Sequence, residues 1–204
     1  MPIKVFVDTY VKKCDLKTLN TAFKLGYRIL VCEEISEQLV SNENVRIVKK
    51  IVISSESTED LKKQLWRINH KKYFITVEPL SIEVARWSAH DTRIDSIIIT
   101  PRNIELFDKK QIGIMKHYSK PLEVTLPVLL NEGKAGSLLY RRLRLFASRK
   151  IPLIASSMAS NWFELIPPYS YIALLETQFD IPRNHAYTSI SLTPRVVLSR
   201  KEVV

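Results

Sequence analysis

Asp15-Leu16-Lys17-Thr18-Leu19-Asn20-Thr21-Ala22-Phe23-Lys24-Leu25-Gly26, followed at once by Tyr27-Arg28-Ile29-Leu30-Val31-Cys32, sets the rhythm from which the fold is read. Asp15 supplies an oxygen acceptor where a helix needs an N-cap, and Leu16, Leu19, Ala22 and Phe23 recur at the spacing that turns them toward one face. Gly26 stands where the chain must leave the helix through a left-handed residue. The run after it is apolar and β-branched, as expected of a parallel strand buried on both faces.

The same alternation continues nearly to the end of the chain. Strands are predicted at Ile3 to Val7, Tyr27 to Cys32, Arg46 to Ser54, Tyr73 to Glu78, Ser96 to Thr100, Leu122 to Leu126 and Ile151 to Ser156. Between the third and fourth, Ser57 and Asp60 resemble a capping box ahead of Leu61, Leu65 and Ile68 on one stripe. Strands alternating with helices predict an α/β protein with a parallel sheet. Seven such units in 204 residues predict a compact, incomplete TIM-type barrel, about seven parallel strands with surrounding helices, and an open doubly wound sheet is the alternative. With 46% hydrophobic residues and no Gly/Ser linker, residues 1–204 read as one domain. No run of eighteen apolar residues occurs, and the apolar stretch at the start is too short for a signal peptide, so a cytoplasmic protein without membrane partners is expected. Cys14 and Cys32 form no C-x-x-C pair, and buried or idle thiols are expected.

Charge is concentrated in one quarter of the chain. Residues 101–150 hold eleven Lys and Arg against four Asp and Glu, which accounts for +7 of the total +10. A charge gathered in one segment makes a local field that attracts a polyanion and releases its counterions. The richest stretch is Tyr140-Arg141-Arg142-Leu143-Arg144-Leu145-Phe146-Ala147-Ser148-Arg149-Lys150. At 100° per residue, Leu138, Leu139, Leu143, Leu145 and Phe146 share a broad side, with Arg141 and Arg144 opposite. Arg142 and Arg149 fall inside the apolar side and must snorkel, pair or meet an anion. Arg102, Lys109, Lys110, Lys116 and Lys120 extend the same surface. Arg102, Lys109, Lys110, Arg141, Arg142, Arg144 and Arg149 are thus the candidate nucleic-acid-binding residues.

An active site would lie at the carboxyl ends of the strands, where Asp8, Glu33, Glu34, Glu56 and Glu78 are expected. Asp8, Glu33 and Glu78 define the alternative reading, a stand-alone metal-dependent phosphoesterase or other barrel enzyme. The four histidines, His70, His90, His117 and His185, share no ligand spacing and fall at no strand end. With only Gly26, Gly113, Gly133 and Gly136, no Walker or dinucleotide loop can be drawn, and Ser156-Ser157 lacks the glycines of a nucleophile elbow. No catalytic residue, metal or cofactor is predicted.

Several stretches in order resemble the archaeal ribonuclease P protein component 3 family, the thirty-kilodalton subunit shared with the eukaryotic enzyme. They are Arg93-Ile94-Asp95-Ser96-Ile97-Ile98-Ile99-Thr100-Pro101, Phe107-Asp108, Leu122-Glu123-Val124-Thr125-Leu126, the arginine helix, and Ile151-Pro152-Leu153-Ile154-Ala155-Ser156-Ser157-Met158-Ala159. The resemblance covers residues 82–204 best, with Ser157-Met158-Ala159 departing from the family's Ser-Gly-Ala. It implies a barrel related to the polymerase and histidinol phosphatase superfamily, in a ribonucleoprotein that removes 5′ leaders from precursor tRNA. There the RNA carries the chemistry, so this chain is expected to be a non-catalytic scaffold that binds ribonuclease P RNA and reaches precursor tRNA indirectly. It also implies pairing with protein component 2 as a heterotetramer of two copies each. The superfamily's metal-binding His-x-His is replaced here by Val7-Asp8-Thr9-Tyr10. Trp162, Tyr169 and Tyr171 are the candidate interface residues, for protein component 2 or for stacking on RNA, because large aromatics concentrate at interfaces and Pro167-Pro168 should keep Tyr169 and Tyr171 at the surface.

Overall fold

The computed structural model describes residues 5–37 and 44–201. Seven parallel strands follow one another in chain order: β1 (Phe6–Cys14), β2 (Tyr27–Ile35), β3 (Arg46–Ser55), β4 (Phe74–Pro79), β5 (Ser96–Ile98), β6 (Leu122–Thr125) and β7 (Leu153–Ser156). The helices are α1 (Leu16–Leu25), α2 (Thr58–Trp66), α3 (Ile82–His90), α4 (Lys109–His117), α5 (Leu126–Leu129), α6 (Gly133–Ser148), α7 (Pro168–Phe179), α8 (Arg183–Ser189) and α9 (Leu192–Leu198). Local chemistry starts and ends the first of them where the sequence predicts, but of the expected inward face Leu19 and Ala22 are buried while Leu16 and Phe23 are exposed. The Asp15 carboxylate accepts from the Thr18 amide at 2.8 Å, and Gly26 ends α1 at φ 101°. Ser57 caps α2 by accepting from the amides of Glu59 and Asp60.

The sheet curls into a nearly closed barrel, the predicted architecture, and not an open doubly wound sheet. Residues that follow β7 bring it round to β1. The Met158 amide donates to the Tyr10 carbonyl, the Lys12 amide to the Ala159 carbonyl at 2.8 Å, and the Val7 amide to the Ile190 carbonyl at 2.9 Å. Val11 and Ala159 form a parallel bridge across this seam. Loop residues thus stand where an eighth strand of a full barrel would lie.

The interior is layered. An outer apolar shell between strands and helices includes Leu19, Leu30, Phe107, Leu122, Leu143, Phe146 and Leu175, all buried. Inside the barrel lies a polar layer. The Lys50 ammonium, fully buried on β3, sits 2.9 Å from the Glu123 carboxylate of β6, donates to Thr76 Oγ1 at 2.7 Å and to the Thr9 carbonyl at 2.9 Å, and lies over the rings of Tyr10 and Phe74. Glu123 also accepts from Thr9, Thr76, Ser96 and Ser156. One ion pair thereby ties together β1, β3, β4, β5, β6 and β7.

That layer explains the first difference from the sequence reading. The first strand is not Ile3 to Val7, of which Ile3 and Lys4 lie outside the described residues, but the longer Phe6–Cys14. Thr9 is polar because it faces the polar interior, Asp8 is buried beside it with its carboxylate on the Tyr10 and Ser157 amides, and composition alone reads such residues as a loop. The second difference is covalent. Cys14 and Cys32 are not idle thiols but a disulfide, their Cα atoms 6.0 Å apart, Cys14 at the end of β1 and Cys32 within the neighbouring β2. Eighteen residues of sequence, mostly spent on the α1 crossover, return the chain alongside itself, so the spacing conceals the proximity. Among the described residues, no helix is long and apolar enough to cross a membrane.

Candidate nucleic-acid interface

The basic segment builds two adjacent outer helices. On α6, Leu139, Leu143 and Phe146 are buried, and Phe146 meets Phe107 edge-on at 6.0 Å between ring centres. Arg141 and Arg144 are exposed on the opposite side, as the helical period requires. Arg142 is half-buried, and its Nε is out of water without a hydrogen-bond partner. Arg149 escapes the apolar side because the helix has already ended, leaving it exposed as the C-cap. Lys109, Lys110 and Lys116 are exposed on α4, whose Asp108 cap accepts from the Gln111 amide at 2.7 Å.

Two of the candidate arginines already have partners. Arg102 forks onto Glu78 at 2.6 and 3.2 Å. Burial works to raise the Glu78 carboxyl, but hydrogen bonds from Ser54, Arg102 and Thr100 outweigh it and hold the group below its ordinary range. Arg144 donates to Tyr140 Oη at 3.2 Å and lies 3.9 Å from the Asp180 carboxylate, an exposed pair of little energetic weight. Lys120 does not extend the surface. It is buried, donates to the carbonyls of Asp91 and Ile94, and burial pulls its ammonium down to about 8.

The three carboxylates of the alternative enzyme reading go to separate places. Glu33 accepts from Tyr10 Oη at 3.0 Å, and Glu78 is held as described. Asp8 lies within β1, not at its carboxyl end, and accepts from the amides of Tyr10 and Ser157 through one oxygen, both at 3.1 Å. Its other oxygen is buried without a partner. Among the described residues, no three His, Cys, Asp or Glu side chains gather where a metal ion could be held.

Burial raises the Asp8 carboxyl to about 6, partly opposed by its hydrogen bonds to Ser157 and Tyr10. Between its ordinary 3.8 and about 6 the folded chain therefore binds a proton that the unfolded chain has lost. Stability from this group is present below pH 3.8, declines as pH rises through that window and levels off above about 6. The full decline is about 3 kcal/mol at roughly 1.4 kcal/mol per pKa unit. In urea unfolding at pH 4 and pH 7, the stability difference between the native protein and Asp8→Asn should change by an amount of this order. A constant difference would show that Asp8 ionises normally.

The aromatic cluster divides. Trp162 and Phe163 are exposed on a 3-10 turn, their rings 5.7 Å apart. Tyr169 is half exposed and meets Phe6 edge-on at 5.4 Å. Tyr171 does not belong to the surface, being only 1% exposed. The prolines open α7 without dictating its phase, and the helical stripe of Tyr171, Ile172 and Leu175 turns inward.

The family model described as RNase P subunit p30 matches residues 5–203. The chain belongs to the RNase P p30 family. A curated relative, ribonuclease P protein component 3 of Aeropyrum pernix, is 27% identical over 194 residues, covering 90% of each chain. A chain of an archaeal ribonuclease P, solved by cryo-EM with mature tRNA, superimposes with a TM-score of 0.77 at 16% identity, over 97% of this chain and 94% of that one. The histidinol phosphate phosphatase of Lactococcus lactis shares the fold at a TM-score of 0.52 and 7% identity, over 99% of this chain and 95% of that one. The p30 family and the phosphatase thus share one barrel architecture.

Proposed function

We propose that this p30-family chain is a non-catalytic, RNA-binding and scaffolding subunit of ribonuclease P, acting in removal of 5′ leaders from precursor tRNA. The observation that carries the reading is the exposed cationic flank formed by α4 and α6, on a family member whose Glu33 accepts from Tyr10 and whose Glu78 is held by Ser54, Thr100 and Arg102. Arg141, Arg149, Lys109 and Lys110 stand ready for phosphate. Arg144 and Arg102 would have to exchange Asp180 and Glu78 for it, and Arg142 offers its outer nitrogens. Precursor tRNA is reached through the RNA and not held directly. A cytoplasmic location follows from this role.

Each phosphate neutralised releases condensed counterions, so the logarithm of the affinity falls linearly with log salt, with a slope of about 0.7–0.9 per phosphate. Arg141→Ala with Lys110→Ala should flatten that slope by roughly 1–2 in a potassium chloride titration against ribonuclease P RNA. Both side chains are exposed, so the melting temperature should not move. An unchanged slope would mean that the cations are merely solvated.

Protein component 2 is the proposed protein partner, in a heterotetramer of two copies each, and Trp162 and Tyr169 with Phe163 are its proposed docking surface. Exposed aromatics bury much area on association at little entropy cost. Trp162→Ala with Tyr169→Ala should weaken that complex by about 2 kcal/mol or more in calorimetric titration. Full affinity would remove this surface from the interface.

A further inference from the structure

Lys109, Gly113 and Lys116 are four and three residues apart on α4 and so share one stripe. From α6, Leu145 and the C-cap residue Arg149 stand one turn apart and face it. Between the two stripes lies a cavity of about 60 Å³, lined by Lys109, Ile112, Gly113, Lys116, Leu145 and Arg149. Its polar lining is cationic only. Among the described residues, none of Lys109, Lys116 and Arg149 forms an ion pair. The nearby acid, Asp108, is occupied by the Gln111 amide and lies 3.6 Å from Arg86. Three like charges around a void repel one another unless they share an anion.

Gly113 is the second observation. A glycine inside a helix costs about 1 kcal/mol relative to alanine. Its φ is not positive, so the backbone does not require glycine, and no atom lies within 4 Å of the place a Cβ would take, so packing does not require it either. The missing side chain serves only to leave the cavity floor open. Size then selects the ligand. A cavity of 60 Å³ exceeds the ~10–15 Å³ that one water needs and falls far below the ~300–1,000 Å³ of pockets for whole small molecules. It suits a phosphate group and excludes a base.

We propose that this cleft between α4 and α6 is a seat for one backbone phosphate of RNA, held jointly by Lys109, Lys116 and Arg149 over Gly113. The guanidinium supplies a planar fork and the two ammoniums supply point charges. The proposal rests on the RNA-binding reading above and sharpens it to a single site.

The test uses the full chain and ribonuclease P RNA across a potassium chloride series. Gly113→Leu fills the seat without removing a charge. It should weaken binding about tenfold and flatten the salt slope by the single step of roughly 0.7–0.9 that one phosphate contributes. The triple change of Lys109, Lys116 and Arg149 to Ala should flatten it by that same single step, and Lys109→Ala alone by no more than that step, because one phosphate is shared. Gly113→Ala and Gly113→Leu should both melt at or above the native temperature, which separates lost binding from lost folding. Three additive steps in the triple variant would mean three independent contacts and overturn the seat. So would native salt-dependent binding that Gly113→Leu leaves unchanged, or a loss by Gly113→Leu of affinity for protein component 2 alone. If the native chain fails to bind the RNA at any salt, the broader RNA-binding reading falls together with the seat.

Discussion

Lys50→Met should cost about 3–5 kcal/mol of stability, the penalty for leaving one partner of a buried ion pair uncompensated. For a chain of this length that corresponds to a melting temperature lower by roughly 10 °C. Neither member of the pair has any exposed side-chain surface, so water cannot stand in for the missing ammonium. Methionine fits between the Tyr10 and Phe74 rings but gives nothing to the Glu123 carboxylate or to the Thr9 carbonyl. Glu123→Gln should be costly too, since four hydroxyl donors converge on that carboxylate. The coupling is read by thermal unfolding of both single variants and the double. Because each change strands the same network, the double should cost less than the sum of the singles. A Lys50→Met protein within 1 kcal/mol of native would show that the polar layer does not hold the strands together.

The disulfide sets the second expectation. Cross-linking residues 18 apart removes loop entropy from the unfolded chain, worth about 3 kcal/mol for a loop of this size. Replacing Cys14 and Cys32 together with Ser, or adding a strong reductant, should lower stability by that order, seen in denaturant unfolding with and without reductant. Thiol titration of the denatured, unreduced protein should find no free thiol and find two after reduction. Two thiols at the outset, with a melting temperature indifferent to reductant, would sink this.

Period and punctuation carried most of the architecture. Asp15, Ser57 and Gly26 act on their own neighbours, so their effects follow from a few residues of sequence, and the β-branched runs locate six strands to within a few residues. What escaped depends on contacts distant along the chain. Lys50 reads as one more lysine in Val48-Lys49-Lys50-Ile51, and only closure of the barrel brings Glu123 to it; a charge inside an otherwise apolar strand was the available signal. Tyr171 was misplaced because prolines announce where a helix starts and not which way it faces. The cationic flank was legible as composition, yet Lys120 belongs to it in sequence and to the barrel base in space. In the sequence Gly113 is only a glycine too isolated for a phosphate loop. Its significance needs the neighbouring helix, which supplies Arg149 across the cleft.

The seam between β1 and β7 bears on how this subunit can assemble. An open sheet ends in rows of unpaired amides and carbonyls that invite a strand from another chain, the route used by many peptide-binding domains and by aggregates. Here the amides of Val7 and Lys12 and the carbonyl of Tyr10 are taken by Ile190, Ala159 and Met158 of the same chain. The backbone of the seam is thus already engaged on its β1 side, and a neighbour cannot extend the sheet there without first displacing those loops. Strand addition at this seam is thus closed to a partner, whereas side chains on the outer helices and turns stay available, and there single substitutions can separate one partner from another while the barrel stays intact.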